Sequence, residues 1–117
     1  MAAATERGEE LPYEVSKREV IAETRELSVK LFTLAQGEVL PWHFHSEIDD
    51  IFFCLEGRIG VETRAPETKR VLRPGERLTV PARTEHLVTN AGSGTSRYLL
   101  VQGVGRYDFV PADKPRK

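Results

Sequence analysis

The sequence predicts an all-β domain, and three observations support this fold class. Turn signals recur at the short spacing that is typical of antiparallel sheets. The segments between the turns are rich in β-branched and apolar residues. No segment has sustained helical periodicity, although the charged stretch 12–26 is expected to be partly irregular or helical.

Four strands are expected in the first half of the chain. Residues 27–34 are apolar and β-branched, and they stop before Gly37. Residues 39–45 follow that glycine. Residues 51–55 and 58–64 flank the turn at Glu56-Gly57.

Four further strands are expected in the second half. Residues 69–72 lie between the turn at 65–68 and Pro74-Gly75, which is a strong turn dipeptide. Residues 77–80 form a short strand that Pro81 ends, because proline has no amide hydrogen for the ladder. Residues 86–89 and 97–102, joined by the loop 90–94, complete the set.

Composition and charge favour one soluble domain. The chain has 117 residues, which suits a single domain over 1–117 with a barrel core at about 27–104, a polar arm at 1–18 and a tail at 111–117. The net charge of −1 is evenly spread, so we expect no nucleic-acid or membrane partner. The lone Cys54 and the lack of an apolar leader or span predict a cytoplasmic location.

All three histidines of the chain lie in two short segments that indicate a metal site. Because side chains on a strand alternate between faces, His43 and His45 point the same way. His86 is the third candidate ligand, and Asp50 offers a carboxylate as the fourth. A single histidine on a strand is usually structural, but the absence of any histidine elsewhere favours a shared ion. Imidazoles with one carboxylate suit Fe, Mn, Ni, Cu or Zn better than Ca or Mg.

The same residues resemble the two motifs of the cupin superfamily, specifically its small one-domain members. The first motif is represented by Gly37, His43, His45, Asp50 and Gly57. The second is represented by Gly75, Pro81, Arg83, His86 and Asn90. Two positions depart from the usual pattern, since Asp50 stands where the family usually has Glu and Arg83 where it usually has Gly. Together the motifs span about half of the chain.

The resemblance implies a jelly-roll β-barrel, also called a double-stranded β-helix, with a metal held by His43, His45, Asp50 and His86. Aspartate is shorter than glutamate by one methylene. Asp50 is therefore expected to bind the metal either directly, which we favour, or through one water.

Five residues are candidates for the wall of a substrate pocket. Phe52 shares the inner face of its strand with Asp50, as does Cys54, which is expected to be buried and inert. Trp42 either packs on the opposite face from His43 or walls the pocket. Arg83 is either a solvated turn residue or an anchor for a substrate carboxylate. Tyr98 and Gln102 are candidates for polar groups in the cavity.

The opposite face of the strand at 51–55 predicts a partner. Ile51, Phe53 and Leu55 point outward if the strand is regular, and an apolar row on a small protein needs a cover. Either the edge of the second sheet or a second copy of the chain could supply it. We expect a homodimer, because symmetric dimers are the commonest soluble oligomers.

Two functional hypotheses remain open at this point. The first is a metal-dependent enzyme that acts on a small oxygenated organic molecule, as a dioxygenase or as an isomerase or lyase. The second is a small-ligand binding or sensor module without turnover. The fold alone does not separate them, because function depends on the site.

Overall fold

The computed structural model describes residues 11–113. These residues form ten strands in two five-stranded antiparallel sheets with the apolar core between them, which confirms the predicted all-β jelly-roll class. The strands are β1 (Lys17–Glu23), β2 (Leu27–Leu34), β3 (Val39–Phe44), β4 (Asp49–Glu56), β5 (Ile59–Thr63), β6 (Thr68–Leu72), β7 (Arg77–Val80), β8 (His86–Asn90), β9 (Ser96–Gly103) and β10 (Val110–Pro111).

The chain crosses between the sheets as it proceeds. The first sheet has the order β1-β2-β9-β4-β7 and the second has the order β10-β3-β8-β5-β6. Most consecutive strands therefore lie in opposite sheets, and the inner faces of both sheets point at one shared interior. Side chains alternate as expected along β4, where Asp50, Phe52 and Cys54 are buried while Ile51, Phe53 and Leu55 are not.

The segment at 12–26 was expected to be partly irregular or helical. Residues 12–16 and 24–26 lie outside the strands, but the middle of the segment is a strand and no part of it is helical. Lys17–Glu23 forms an edge strand that pairs with β2, with an irregularity between Val20 and Ala22. An edge strand tolerates many charges because one face and one backbone edge reach solvent. The pairing with β2 thus determines the structure of this segment, whose local sequence pattern indicates a strand only weakly.

The ends of the barrel extend beyond the expected core at 27–104. Leu11, Tyr13 and Val15, which belong to the expected polar arm, are buried in the core. At the other end, β10 pairs with β3, and Ala112 is buried. Residues 1–10 of the arm and residues 114–117 of the tail lie outside the described residues. Between 11 and 113 no helix is long and apolar enough to cross a membrane.

Candidate metal centre

Both sheets contribute to one polar cluster in the interior. His43 lies on β3, His45 follows directly after β3, and His86 begins β8. His43 and His86 are paired across the ladder, so their imidazoles start from neighbouring points of the second sheet. Asp50 reaches toward them from β4 of the first sheet. The cluster thus joins chain segments that are far apart in sequence.

The four side chains converge tightly. One nitrogen or oxygen atom from each of the four lies within 4.8 Å of the others, and all four residues are buried. Asp50 Oδ2 is 3.0 Å from His45 Nε2 and 3.0 Å from His86 Nε2. The rings of His43 and His86 are 4.2 Å apart between centroids. The cluster is therefore compatible with a divalent metal site.

Backbone carbonyls fix the orientation of all three imidazoles. A carbonyl oxygen can only accept a hydrogen bond, so each Nδ1 carries the proton and donates it. The pairs are His43 Nδ1 with Pro41 O at 2.6 Å, His45 Nδ1 with Asp108 O at 2.6 Å and His86 Nδ1 with Thr84 O at 2.8 Å. In a neutral imidazole this leaves Nε2 with a lone pair, which is the arrangement of a metal-ligating histidine.

With this tautomer, the centre of the cluster is a favourable position for a cation. Two Nε2 lone pairs would face the Asp50 carboxylate at 3.0 Å, and such acceptors repel unless a proton or a metal ion lies between them. Burial opposes charge on Asp50, but the hydrogen bonds from His45 and His86 hold the pKa of its carboxyl well below the usual range. Burial likewise opposes protonation of His45, but the bond to Asp50 raises its pKa.

His43 differs from the other two imidazoles. Burial, with a contribution from His86, lowers the pKa of His43 to about 3, so its ring stays neutral at physiological pH. The ring stacks on Phe109 with centroids 4.2 Å apart and planes 13° apart. A neutral, rigidly held imidazole is ready to ligate an ion without losing a proton.

The second oxygen of Asp50 is held by a polar chain. Gln102 Nε2 donates to Asp50 Oδ1 at 2.8 Å, and Lys30 Nζ donates to Gln102 Oε1 at 2.5 Å. Ser28 Oγ also reaches Gln102 Oε1, at 3.4 Å. Because the lysine can only donate, it fixes which end of the Gln102 amide faces Asp50. Oδ2 of Asp50 is thereby left facing the histidines.

A small inner cavity of about 10 Å³ adjoins the cluster. Of the expected pocket residues, Phe52, Tyr98 and Gln102 line it. The Tyr98 hydroxyl is buried and has no hydrogen-bond partner among the described residues, and burial raises its pKa well above the usual value. Tyr98 is therefore a lining residue of the inner cavity whose hydroxyl has no partner among the described residues.

Two expected pocket residues do not line this cavity. Trp42 packs against the Arg64 guanidinium, which lies 3.7 Å from the indole centroid, so its packing role is the one observed. Arg83 is exposed and donates to the Ser46 carbonyl at 3.2 Å. Its φ of 66° is in the left-handed region that favours glycine, which explains why glycine is usual at this position.

Sequence reasoning missed several residues beside the cluster, among them Lys30, Tyr107 and Phe109. Lys30 had a detectable signal, because it shares the inner face of β2 with Phe32 and Leu34. A charge at an inner position of an alternating strand is unusual without a role. Tyr107 and Phe109 lie between β9 and β10, where no periodic pattern marks an inward face.

A larger chamber of about 490 Å³ adjoins the inner cavity and shares part of its wall. The shared residues are Lys30, Gln102, Tyr107 and Phe109. The rest of the chamber is formed mainly by the inner side of β1, the β1–β2 turn and the segment before β1. A chamber of this volume is in the range of small-molecule sites.

Comparisons with known proteins agree with this architecture. Residues 30–102 match the family model Cupin_2, described as a cupin domain. Among curated proteins, none matches the sequence significantly.

Solved structures resemble the fold at low identity. KdgF from Halomonas sp. has 23% identity and a TM-score of 0.68, with 82% of this chain and 90% of that chain covered. A protein with a double-stranded β-helix domain from Klebsiella pneumoniae has 21% identity and a TM-score of 0.70, with 84% of each chain covered. A structure of oxalate oxidase has 20% identity and a TM-score of 0.68, with 74% of this chain covered but only 46% of that one.

Proposed function

The chain belongs to the cupin family, and from that membership we propose that it is a metal-dependent enzyme acting on a small oxygenated organic molecule. The observation that carries the proposal is the convergence of four buried ligand-type side chains within 4.8 Å, beside a chamber of about 490 Å³. Buried polar groups are costly unless they are satisfied, so a cluster of this kind is retained for binding or chemistry.

In this proposal, His43, His45, Asp50 and His86 hold one divalent transition metal, which is Fe, Mn, Ni, Cu or Zn. Two features support the assignment. Each imidazole has its Nδ1 bound to a carbonyl, which directs Nε2 at the centre of the cluster. Asp50 supplies a carboxylate at 3.0 Å from two of these nitrogens, which favours direct ligation over a water-bridged contact.

The chemistry divides between the metal and the chain. A bound transition metal would supply either O₂ activation or Lewis-acid polarisation of a substrate oxygen. The protein orients the ligand set through Gln102 and the backbone carbonyls, and it excludes bulk water by burial. In this proposal Tyr98, whose hydroxyl is protonated and unpartnered among the described residues, would donate a hydrogen bond to a ligand in the inner cavity.

Metal analysis followed by O₂-uptake assays tests this function. We expect about one transition-metal ion per chain by mass spectrometry of the purified protein. Iron with O₂ uptake in the presence of candidate substrates supports a dioxygenase. A redox-silent metal with turnover supports an isomerase or lyase. Stoichiometric metal with ligand binding but no turnover of any candidate would instead favour the binding or sensor module.

We further propose that the protein is a homodimer formed by the outer face of the first sheet. Two rows of side chains cross this face, and their central positions are apolar on three adjacent strands, β2, β9 and β4. The apolar positions are Ile51, Val101 and Val29 in one row and Phe53, Leu99 and Leu31 in the other. A contiguous apolar face of this kind typically contacts a partner.

Charge complementarity favours a second copy as that partner. The row centred on Leu99 ends in Arg77 on β7 and in Glu19 on β1. In such a dimer the first sheets of two protomers face each other, with a two-fold axis parallel to β9 between them. This rotation reverses the direction of the row in one protomer relative to the other. Arg77 of each protomer then lies opposite Glu19 of its partner, so the same symmetry pairs the apolar centres and the opposite charges.

A further inference from the structure

The boundary between the inner cavity and the chamber includes two aromatic rings that are not fully buried. The described residues that line the inner cavity are buried except for Phe109, which is half-buried, and Tyr107, which is 43% exposed. Both of these residues also line the chamber of about 490 Å³. The other two shared residues, Lys30 and Gln102, are buried on β2 and β9. The route from the chamber to the cluster therefore passes Tyr107 and Phe109.

Phe109 is held in place by its neighbours. Its ring stacks on His43 with centroids 4.2 Å apart, and the Tyr13 ring lies 5.7 Å away on the same measure. The next residue along the chain, Val110, pairs with β3. Because movement of Phe109 would disturb an imidazole of the cluster, this ring is a fixed part of the wall.

The backbone around Tyr107 is fastened on both sides. Gly105 N donates to a carbonyl of the β1–β2 turn at 2.9 Å. On the other side, Asp108 Oδ1 accepts from Ser46 N at 2.7 Å, and Asp108 O accepts from His45 Nδ1 at 2.6 Å. Displacement of this segment would break the bond that orients His45. The Tyr107 side chain can move without that cost, because rotation about its own bonds leaves the backbone in place.

The Tyr107 ring lies against the cluster in the structure. Its centroid is 5.5 Å from that of His45, and the Lys30 ammonium lies 4.3 Å from it in a cation–π contact that favours this position. The inner cavity behind the ring holds only about 10 Å³, which is roughly the space of one water. An organic ligand that reaches the cluster from the chamber therefore requires the ring to move.

We propose that Tyr107 is the gate between the chamber and the metal centre, and that it limits the size of the ligands that reach the ion. The size limit rests on the proposed function, since it takes the ion to lie among the four clustered side chains. Molecules about as small as water pass with the ring in place, whereas larger ligands enter when the ring rotates. Tyr107 is thus a specificity-determining residue.

Labelling of the metal-free protein with diethyl pyrocarbonate tests access to the cluster. This reagent acylates imidazoles, and all three histidines of the chain belong to the cluster, so the ultraviolet absorbance of modified histidine reports on the cluster alone. Tyr107→Ala should raise the labelling rate by about tenfold or more, and the larger ring of Tyr107→Trp should lower it. Tyr107→Phe keeps the ring and should stay within about twofold of the wild type.

Two control variants separate gating from a general loosening of the fold. Arg106→Ala changes the exposed neighbour of Tyr107, which lines neither cavity. Leu72→Ala removes volume from the buried core on β6, also outside both linings. Both should label at the wild-type rate under conditions in which every variant is folded. A wild-type rate in Tyr107→Ala or Tyr107→Trp, or an increase in Leu72→Ala equal to that in Tyr107→Ala, would overturn the gate.

Cobalt-loaded protein tests the size limit with two probes that ligate metals, azide and 4-phenylimidazole, followed by the visible absorption of cobalt. Tyr107→Ala should speed the binding of 4-phenylimidazole by about tenfold or more and leave the azide rate within about twofold of the wild type. Equal acceleration of both probes would overturn the size limit. A wild-type protein that binds no metal would overturn the proposed function, whereas the labelling of metal-free protein would still decide whether Tyr107 controls access to the cluster.

Discussion

The orientation of the Asp50 carboxylate determines which of its two oxygens would contact a bound ion. Its Oδ1 accepts from Gln102, and its Oδ2 faces His45 and His86. The Gln102 bond thus orients the Asp50 carboxylate so that Oδ2 faces the two histidines. The departure from the usual family residue is therefore accompanied by a partner that fixes the carboxylate.

Replacing Asp50 by Asn should weaken metal binding, because the amide removes a charge while keeping the volume. We expect the metal affinity to fall by roughly 10- to 100-fold or more. Asp49→Asn is the matched control, since Asp49 points to the other face and accepts from the Ala82 amide. Competition titration with a chromogenic chelator measures both variants. Equal affinity in Asp50→Asn and wild type would remove Asp50 from the site.

Arg83 gives a second prediction at the residue scale, because its φ of 66° penalises any Cβ. Arg83→Gly should be more stable than Arg83→Ala by about 1 kcal/mol, although glycine normally costs stability relative to alanine. Both variants lose the same bond to Ser46, so that loss cancels. Urea unfolding measures the difference. The neighbouring control, Ala82→Gly, should have the ordinary sign, and an Arg83→Ala variant as stable as Arg83→Gly would contradict the strain.

Among the strands, the β4–β5 turn lies in close contact with the start of β9. Gly57 has a φ of 72°, and a Cβ added there would lie 2.8 Å from Thr95 O and 2.9 Å from Ser96 Cα. Both are backbone atoms, so neither can rotate away. Gly75 also has a positive φ, of 91°, but a Cβ there would meet nothing within 4 Å.

Gly57→Ala should therefore cost much more than Gly75→Ala. We expect roughly 3 kcal/mol for Gly57→Ala, from the left-handed backbone plus the clash, against about 1 kcal/mol for Gly75→Ala from the backbone alone. Chemical denaturation of the two variants measures the costs. Similar losses at both positions would mean that the close approach to Ser96 carries no energetic weight.

Local sequence patterns predicted the strands in which apolar residues alternate strongly. They failed for elements whose formation depends on pairing with distant parts of the chain. β2 and β7 have the predicted bounds because turn residues delimit them, and the shared face of His43 and His45 followed from strand geometry. β1 was missed because an edge strand can be as charged as a loop. The chamber was missed because Lys30, Arg18 and Tyr107 meet only after β1 and the segment before β10 fold back. Trp42 and Arg83 lie near the metal-site residues in sequence. Because of the direction of the strand and of the loop that carry them, their side chains do not line the inner cavity.

For the whole molecule, the outer face of the first sheet predicts assembly. The protein should be a dimer at micromolar concentration in light scattering, and Phe53→Glu should give monomer or aggregate. Val71→Glu, at an exposed apolar position on the second sheet, is the matched control and should stay dimeric. Arg77→Glu should weaken the dimer, and adding Glu19→Arg should restore it. A wild-type monomer would contradict the interface.

The central claim is that the buried cluster binds a divalent transition metal, and thermal unfolding with and without a chelator tests it most directly. The ion would join β3 and β8 of one sheet to β4 of the other, so it must stabilise the folded state selectively. At a hundredfold excess over Kd, metal contributes about 3 kcal/mol, which corresponds to roughly 10 °C in Tm. We predict that chelation lowers Tm by about that much, that added metal restores it, and that His86→Ala removes the response. A Tm that chelator leaves unchanged, in protein that contains no bound metal, would contradict the account.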